Sequence, residues 1–446
     1  MVTIKNNVIN NARPLINHKK KFYTLLFLIA LNLTVKADSQ IPLLDVLKAN
    51  GSITESQYQQ LIQGENEVLI GESEVEHSIN NSNGLEVATM DGESSVEIGA
   101  SLGVDLAYYA EDKNSLGSGT ELRFAKISLS GLQNGIWTYQ FSVDFSAADI
   151  DIDTAYISYI EPFPWEIKIG QFKQPFSLEE QTKRKHSTFM ERSLVNELSP
   201  GRGIGIGIQY KAIQWNVNIG LFGDEYDSDA ADEGDEGASL AGRLVYAPIA
   251  LDTHVIHFGI SDSLKYNDDD KKIKLDARPE SHITDLKLFD TGSIKNISMS
   301  NHFGVEFAWV SGAWSVQYEY IQLQLNREGN DNLQFSGQYT QISYFLTGES
   351  RAYDLKNGHF IRVSPLQSTG AVELAVRLST LDLDDKDIVG GTGDQLTLGL
   401  NWYFTENVKL VLNYSQMDYK STADADGSAT GGDQGKVLQA RFLMDF

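Results

Sequence analysis

Beyond Ser94 the chain alternates apolar and polar residues with a period of two, and keeps doing so to its last residue. In VEIGASLGVDLAY, Val96, Ile98, Ala100, Leu102, Val104, Leu106 and Tyr108 fall on one face, against Glu97, Gly99, Ser101, Gly103, Asp105 and Ala107 on the other. WTYQFSVDF (137–145) and LTLGLNWYF (396–404) repeat the pattern. Successive side chains of a strand point to opposite sides, so each run predicts a half-buried strand. The same rule applied along the chain predicts strands at 94–110, 119–131, 134–147, 151–161, 164–173, 203–210, 212–222, 238–247, 252–263, 300–311, 313–325, 335–347, 370–382, 395–405, 408–420 and 436–446. That makes about sixteen, and an even count is what a bacterial membrane barrel requires.

Connections between these segments alternate in length. Leu132-Gln133-Asn134, Pro162-Phe163 and Glu406-Asn407 are short, whereas 224–237, 266–298 and 422–435 are long and acidic. Short turns on one side and long loops on the other describe an outer-membrane barrel. In hydrocarbon every backbone N–H and C=O must be paired within the protein, so an all-strand membrane protein has to close on itself. The final stretch, KVLQARFLMDF ending on Phe446, is therefore expected to pair with the first strand. Trp137, Trp165, Trp309, Trp314, Tyr318 and Tyr320 near strand ends suit interfacial girdles. A large soluble β-protein with these aromatics in its core fits the pattern less well. The expected fold is an all-β, transmembrane antiparallel β-barrel.

The region before Ser94 reads differently. Lys19, Lys20 and Lys21 precede the apolar run FYTLLFLIALNLTV (22–35) and then Lys36-Ala37, which is the pattern of a secretory signal with cleavage expected after Ala37. Within 41–62, Leu43, Leu44, Val46 and Leu47 cluster before Gly51, and Thr54 with Gln57 has capping-box spacing, which predicts a small helix-turn-helix. A polar stretch from 63 to about 83 reads as a linker. The expected organisation is a signal peptide over 1–37, a periplasmic helical extension and linker over 38–93, and the barrel over 94–446.

Composition narrows the function classes. A hydrophobic fraction of 41% and a mean hydropathy of −0.26, with no internal stretch of ~18 apolar residues, exclude a bundle of membrane helices. A net charge of −25 disfavours nucleic acid as a partner. Cysteine is absent, which removes thiol chemistry and disulfides. There is no HExxH or GxSxG spacing, and in GRGIGIGIQY (201–210) isoleucine alternates with glycine as in a strand rather than a phosphate loop. No enzyme activity, cofactor or metal is expected.

Four separated stretches carry a family resemblance: IGQFKQPFSLEEQTKRKHSTFMERSL (169–194), YFLTGESRAYD (344–354), GAVELAVRLSTLDLDD (370–385) and LTLGLNWYFTENVKLVLNYS (396–415). In this order they resemble landmarks of the phosphate-selective porins O and P, over roughly 84–446. The resemblance implies a homotrimer of sixteen-stranded barrels in outer-membrane lipid, each with its own pore. It also implies paired arginines near the second strand. The matching LRFAKISL keeps Arg123 but has Phe124 beside it, and by parity Phe124, Lys126 and Ser128 share the lumen face. An aromatic then stands where the family has a charge.

Strand parity assigns Glu97, Asp105, Lys126, Asp144, Glu166, Lys168, Glu306, Glu319, Glu373, Arg377, Lys409, Arg441 and Asp445 to the lumen. Acids are in the majority, which argues for general or cation-tolerant diffusion. The loop between the fifth and sixth strands argues the other way. It carries the run Lys183-Arg184-Lys185-His186, and a loop of that length is usually functional when ordered. Lys183, Arg184, Lys185, Arg192 and Arg202 are candidates for an anion-attracting constriction. The competing reading pairs them with Glu179, Glu180, Glu191 and Glu197 of the same segment, so that the charges cancel. The sequence is read as an outer-membrane porin passing small hydrophilic solutes, with anions favoured and phosphate suggested by the resemblance. A cation-tolerant porin and a surface receptor or adhesion barrel with a plugged lumen stay open as alternatives.

Overall fold

The alternating segments become sixteen strands in the computed structural model, which describes residues 75–80, 84–89, 91–146, 150–161, 163–225, 237–267, 272–422 and 432–446. They are β1 (Ser95–Ala110), β2 (Gly119–Gln133), β3 (Trp137–Asp144), β4 (Asp151–Tyr159), β5 (Trp165–Lys173), β6 (Arg202–Lys211), β7 (Trp215–Phe222) and β8 (Ala238–Leu251) in the first half. The second half holds β9 (His254–Tyr266), β10 (Ile297–Ser311), β11 (Trp314–Arg327), β12 (Leu333–Phe345), β13 (Ala371–Asp385), β14 (Ile388–Tyr403), β15 (Val408–Thr422) and β16 (Lys436–Asp445). Each pairs antiparallel with its neighbours in sequence, and β16 pairs with β1 from Lys436↔Ala110 to Asp445↔Ser101. Phe446 and Ala100 then exchange both backbone hydrogen bonds, at 2.8 and 3.0 Å. The barrel is closed, so its strands present no open edge to lipid.

Burial is inverted relative to a soluble protein. On β1 the apolar Leu102, Val104, Leu106 and Tyr108 are exposed on the outside, while Gly103, Asp105, Ala107 and Tyr109 point inward and are buried. On β16, Leu438, Phe442 and Met444 are exposed, whereas Arg441 and Asp445 are buried. An apolar outer surface with polar residues inside is the signature of a membrane barrel and contradicts the soluble reading. Four cross-strand Trp–Tyr pairs sit at the short-turn ends: Trp137 with Tyr159, Trp165 with Tyr210, Trp215 with Tyr246 and Trp314 with Tyr344, ring centroids 4.2–4.8 Å apart. Amphipathic rings collected at one level mark the interface with head groups.

Three features depart from the expected pattern. First, β14 begins at Ile388 rather than 395, so Lys386 and Asp387 alone join it to β13. Its opening IVGGTGDQ has no apolar face: the outward side, beyond the hydrocarbon, takes Thr392 and Asp394, while Gly390, Gly391, Gly393 and Gln395 are buried inside. Second, part of the expected linker is strand: Val75–Asn80 and Gly84–Thr89 form a hairpin. Its second arm pairs with β1 from Leu85↔Ile98 to Ala88↔Ser95, continuing the edge that β16 leaves beyond Phe446 and satisfying backbone groups there. Third, β12 and β13 are joined on the short-turn side by a long segment, 346–370, which turns back into the lumen. The expected signal peptide and the helices at 41–62 lie outside the described residues.

The lipid face gives a direct test. Val104→Arg, midway along β1 on the outside, should destabilise the folded barrel by about 2–4 kcal/mol, read from urea unfolding in lipid vesicles. A variant as stable as the parent would place that face away from lipid.

Candidate functional site

Among the described residues three long segments fold into the lumen: 174–201 between β5 and β6, 272–296 before β10, and 346–370 between β12 and β13. The first is the one with the basic run. Its entry is a single helical turn, Leu178–Gln181, whose first turn is capped by Ser177 Oγ accepting from Glu180 N at 3.1 Å. That turn docks on Glu319 of the β11 wall. The buried Glu319 carboxylate accepts from Ser177 Oγ (2.6 Å), Leu178 N (2.9 Å), Glu179 N (2.8 Å) and the Tyr339 hydroxyl (2.5 Å). A carboxylate removed from water needs such donors, and a helix N-terminus supplies them.

Glu179 and Glu191 accept hydrogen bonds from wall arginines rather than from the basic run of their own loop. Glu179 accepts from Ser193 Oγ (2.6 Å) and from Arg377 of β13 (3.3 Å). Arg377, 2% exposed, also reaches Glu280 of the 272–296 segment at 2.6 Å, so one wall arginine holds two inward segments. Glu191 is bound by Arg123 of β2 (2.8 Å) and Arg441 of β16 (2.6 Å), and Arg441 pairs in turn with Asp105 at 2.6 Å. Burial would raise the Glu191 pKa, but the guanidiniums of Arg123, Arg441 and Arg184 hold it well below the usual carboxylate range. Glu197 accepts from Asp276 N in the neighbouring segment. Glu180 stays with nearby cations, Arg192 at 2.5 Å and Lys173 at 3.3 Å. Burial pushes its pKa up, and Arg192 and Lys173 more than reverse this, to about 2.

Polar wall groups also hold the loop backbone. Lys409 donates to Ser187 O at 3.0 Å, Asn401 to Thr188 O at 2.8 Å, and Asn413 accepts from Met190 N at 2.9 Å. Further along, Leu194, Val195 and Leu198 pack into an apolar cluster with Leu323, Leu325 and Phe335. Each such buried side chain contributes about 1.5–3 kcal/mol. From the other mouth, Phe360 of the 346–370 segment meets Leu178 in a second cluster. Its Arg362 pairs with Asp445, as does Lys185 at 2.8 Å.

These contacts cover the β9–β16 side of the lumen. The space left open runs between the loop and the wall of β1–β8. Its upper part is bounded by five lysines (Lys126, Lys168, Lys173, Lys183, Lys185), three arginines (Arg184, Arg192, Arg202) and one carboxylate, Asp153. Arg202 and Lys126 both bind Asp153, at 2.7 and 2.6 Å, and Lys168 lies 3.7 Å from Glu166. Among the described residues Lys183 and Arg184 form no ion pair.

All five constriction candidates thus border one space. Of the wall candidates, Lys126, Glu166 and Lys168 border it too. Arg377, Lys409, Arg441 and Glu373 point inward but lie beneath the inward segments, where they act as anchors; Glu373 accepts from Asn401 and Tyr403 at 2.8 Å.

Parity missed residues at two bulges. The β1–β2 register slips between Gly103 and Val104, which adds Arg123 to the inward face without displacing Phe124. Phe124 lies so close to Gly103 that a Cβ there would fall 2.5 Å from its ring. In the same way the β3–β4 register slips at Val143, which brings Asp153 inward alongside Thr154. Arg123 is therefore lumenal after all, but engaged by Glu191. Sequence offers little warning, because a bulge leaves both flanking alternations intact.

A closed barrel with an apolar belt, an aromatic rim and a lumen narrowed by inward segments defines an outer-membrane porin, a channel for solutes. Residues 96–446 match the family model described as phosphate-selective porin O and P, and the chain belongs to that family. A protein of Caulobacter vibrioides is 30% identical over 350 residues, covering 74% of this chain and 69% of its own length. Porin O of Pseudomonas aeruginosa is 29% identical over 407 residues, 81% of this chain and 91% of that one. Among solved structures, an anion-selective porin from Comamonas acidovorans shares the fold with a TM-score of 0.52 at 13% identity, covering 79% of this chain and 100% of the other.

The anchoring scheme predicts a cost at Arg377. Arg377→Ala strands Glu179 and Glu280 as buried carboxylates without their shared cation, which should destabilise the barrel by about 3–5 kcal/mol. Chemical unfolding of the refolded protein measures it, and a loss below the error of that titration would contradict the anchor.

Proposed function

We propose that the channel passes small hydrophilic solutes by passive diffusion with a preference for anions, phosphate among them. The observation that carries this reading is the sign of charge around the upper part of the open space: eight cationic side chains against Asp153, with Glu166 and Asp354 bordering the lower part, in a chain whose net charge is −25. Charge lining a pore sets its ion preference. The wall acids that favoured a cation-tolerant pore are engaged elsewhere. Glu306 is paired with Arg243 at 2.7 Å, Asp105 with Arg441, and Glu373 lies under the loop. Lys183 and Arg184 are left to meet a passing anion. Support for phosphate comes from the description of the family.

Three copies would pack side by side. The family resemblance implies a trimer, and the barrel wall is uneven in a way that suits one. Strands β3–β7 run 8–10 residues, against 13–16 in β8–β15. Their outer face carries Ile204, Ile206, Ile208, Ile219 and Leu221. A low apolar wall is the natural side for another copy, and a detergent-corrected mass of three chains is expected.

Planar-bilayer recordings test the anion preference. Changing Lys183, Arg184 and Lys185 together to Gln should move the zero-current potential in a KCl gradient toward the cation side. Unchanged selectivity in a folded triple variant would remove these residues from the role.

A further inference from the structure

The lower part of the open space, about 360 Å³, shares Tyr156, Phe172, Gln140 and Lys168 with the cationic part above it and adds Gln209 together with the carboxylates of Glu166 and Asp354. Tyr156 and Phe172 are half-buried and border it, with Phe222 edge-on behind Phe172 at 5.0 Å. Lys168 Nζ lies 4.3 Å from the Tyr156 ring centre and 5.4 Å from that of Phe172. Around this aromatic shelf stand side-chain amides whose hydrogen-bonding capacity is only partly used. Gln140 accepts from the Tyr156 hydroxyl at 3.0 Å and keeps its NH₂. Gln209 donates to Lys356 O at 3.2 Å and keeps its Oε1. Gln181 donates to Gln174 O and Phe176 O and likewise keeps its oxygen.

A bare inorganic anion makes poor use of these groups. Aromatic surface facing solvent is unfavourable unless something apolar covers it. Free amide oxygens are acceptors, and an anion at neutral pH brings acceptors of its own. A small ring bearing hydroxyls answers both: its C–H face covers the aromatic rings, and its hydroxyls donate to the amide oxygens and accept from the amide NH₂. Lys173, Lys183 and Gln181 border both parts of the space, so an anionic group at one end of such a solute reaches cations while its ring rests on the shelf.

From this juxtaposition we propose that the preferred solute is a monophosphorylated sugar or similar polyol, held by its phosphate on the lysines and by its ring on the Tyr156–Phe172 shelf. The inference rests on the anion-selective reading above and specifies the solute class of the same channel.

The test is block of KCl current through the purified protein in planar bilayers, with glucose 6-phosphate, inorganic phosphate and glucose as probes. Glucose 6-phosphate should reach half-block at a concentration about tenfold below that of phosphate, since the hydroxyl contacts discriminate, and glucose should need more than glucose 6-phosphate. Tyr156→Leu and, separately, Gln209→Leu should raise the glucose 6-phosphate value toward that of phosphate and leave phosphate itself unchanged. If Tyr156→Leu does not fold, the Gln209 variant decides. Equal half-block by the two phosphates in the parent, or a preference that survives both substitutions, overturns the proposal. The zero-current potential in KCl alone reads the anion preference. A non-selective channel overturns that reading and this one together, whereas a selective channel blocked equally by both phosphates overturns only this one.

Discussion

Backbone pairing in hydrocarbon is the constraint from which the rest follows. With no water to bond to, N–H and C=O groups at membrane depth must find each other, so β16 returns to β1 and the sheet closes. Closure fixes which side of every strand faces lipid. The apolar residues then belong outside, and the polar residues that would normally face solvent are turned inward. A lumen lined with Asp105, Glu319, Glu373, Arg377 and Arg441 is a consequence of the topology as much as of the function.

Such a lumen decides how the inward segments are held. Much of the 174–201 loop meets a charged wall, and its anchors are ion pairs and hydrogen bonds that desolvate both partners. Isolated buried pairs are weak evidence for stability, but they are demanding about geometry. Here they form a connected set: Glu191 between Arg123 and Arg441, and Arg377 between Glu179 and Glu280. The set draws three acids from the two inward segments and three cations from the wall. What remains facing the open space is the surplus, and the surplus is positive.

Much of this was legible in the sequence, for identifiable reasons. All sixteen strands could be read from alternation, since only a barrel in lipid keeps one face apolar for so long. The basic run at Lys183–Lys185 stood out because it is dense and lies in a loop too long to be a turn. Its electrostatic surroundings were not legible: whether Glu179 or Glu191 would neutralise it depended on wall residues more than 150 positions away in sequence, such as Arg377 and Arg441. Arg123 and Asp153 were hidden by single-residue bulges that parity counting steps over. The hairpin arm Gly84–Thr89 and the inward segment 346–370 escaped notice because short strands among polar residues look like loops until their partners are seen.

Glu179 and Glu191 of the loop are bound to wall arginines, and among the described residues this leaves Lys183 and Arg184 beside the channel without an ion pair. Anomalous diffraction from crystals soaked in bromide addresses it most directly, because halide marks accessible, uncompensated positive charge. Bromide in the channel beside Lys183 and Arg184 is the expected result. Halide confined to the outer surface, with those two side chains turned onto Glu179 or Glu191, would overturn this arrangement of charge.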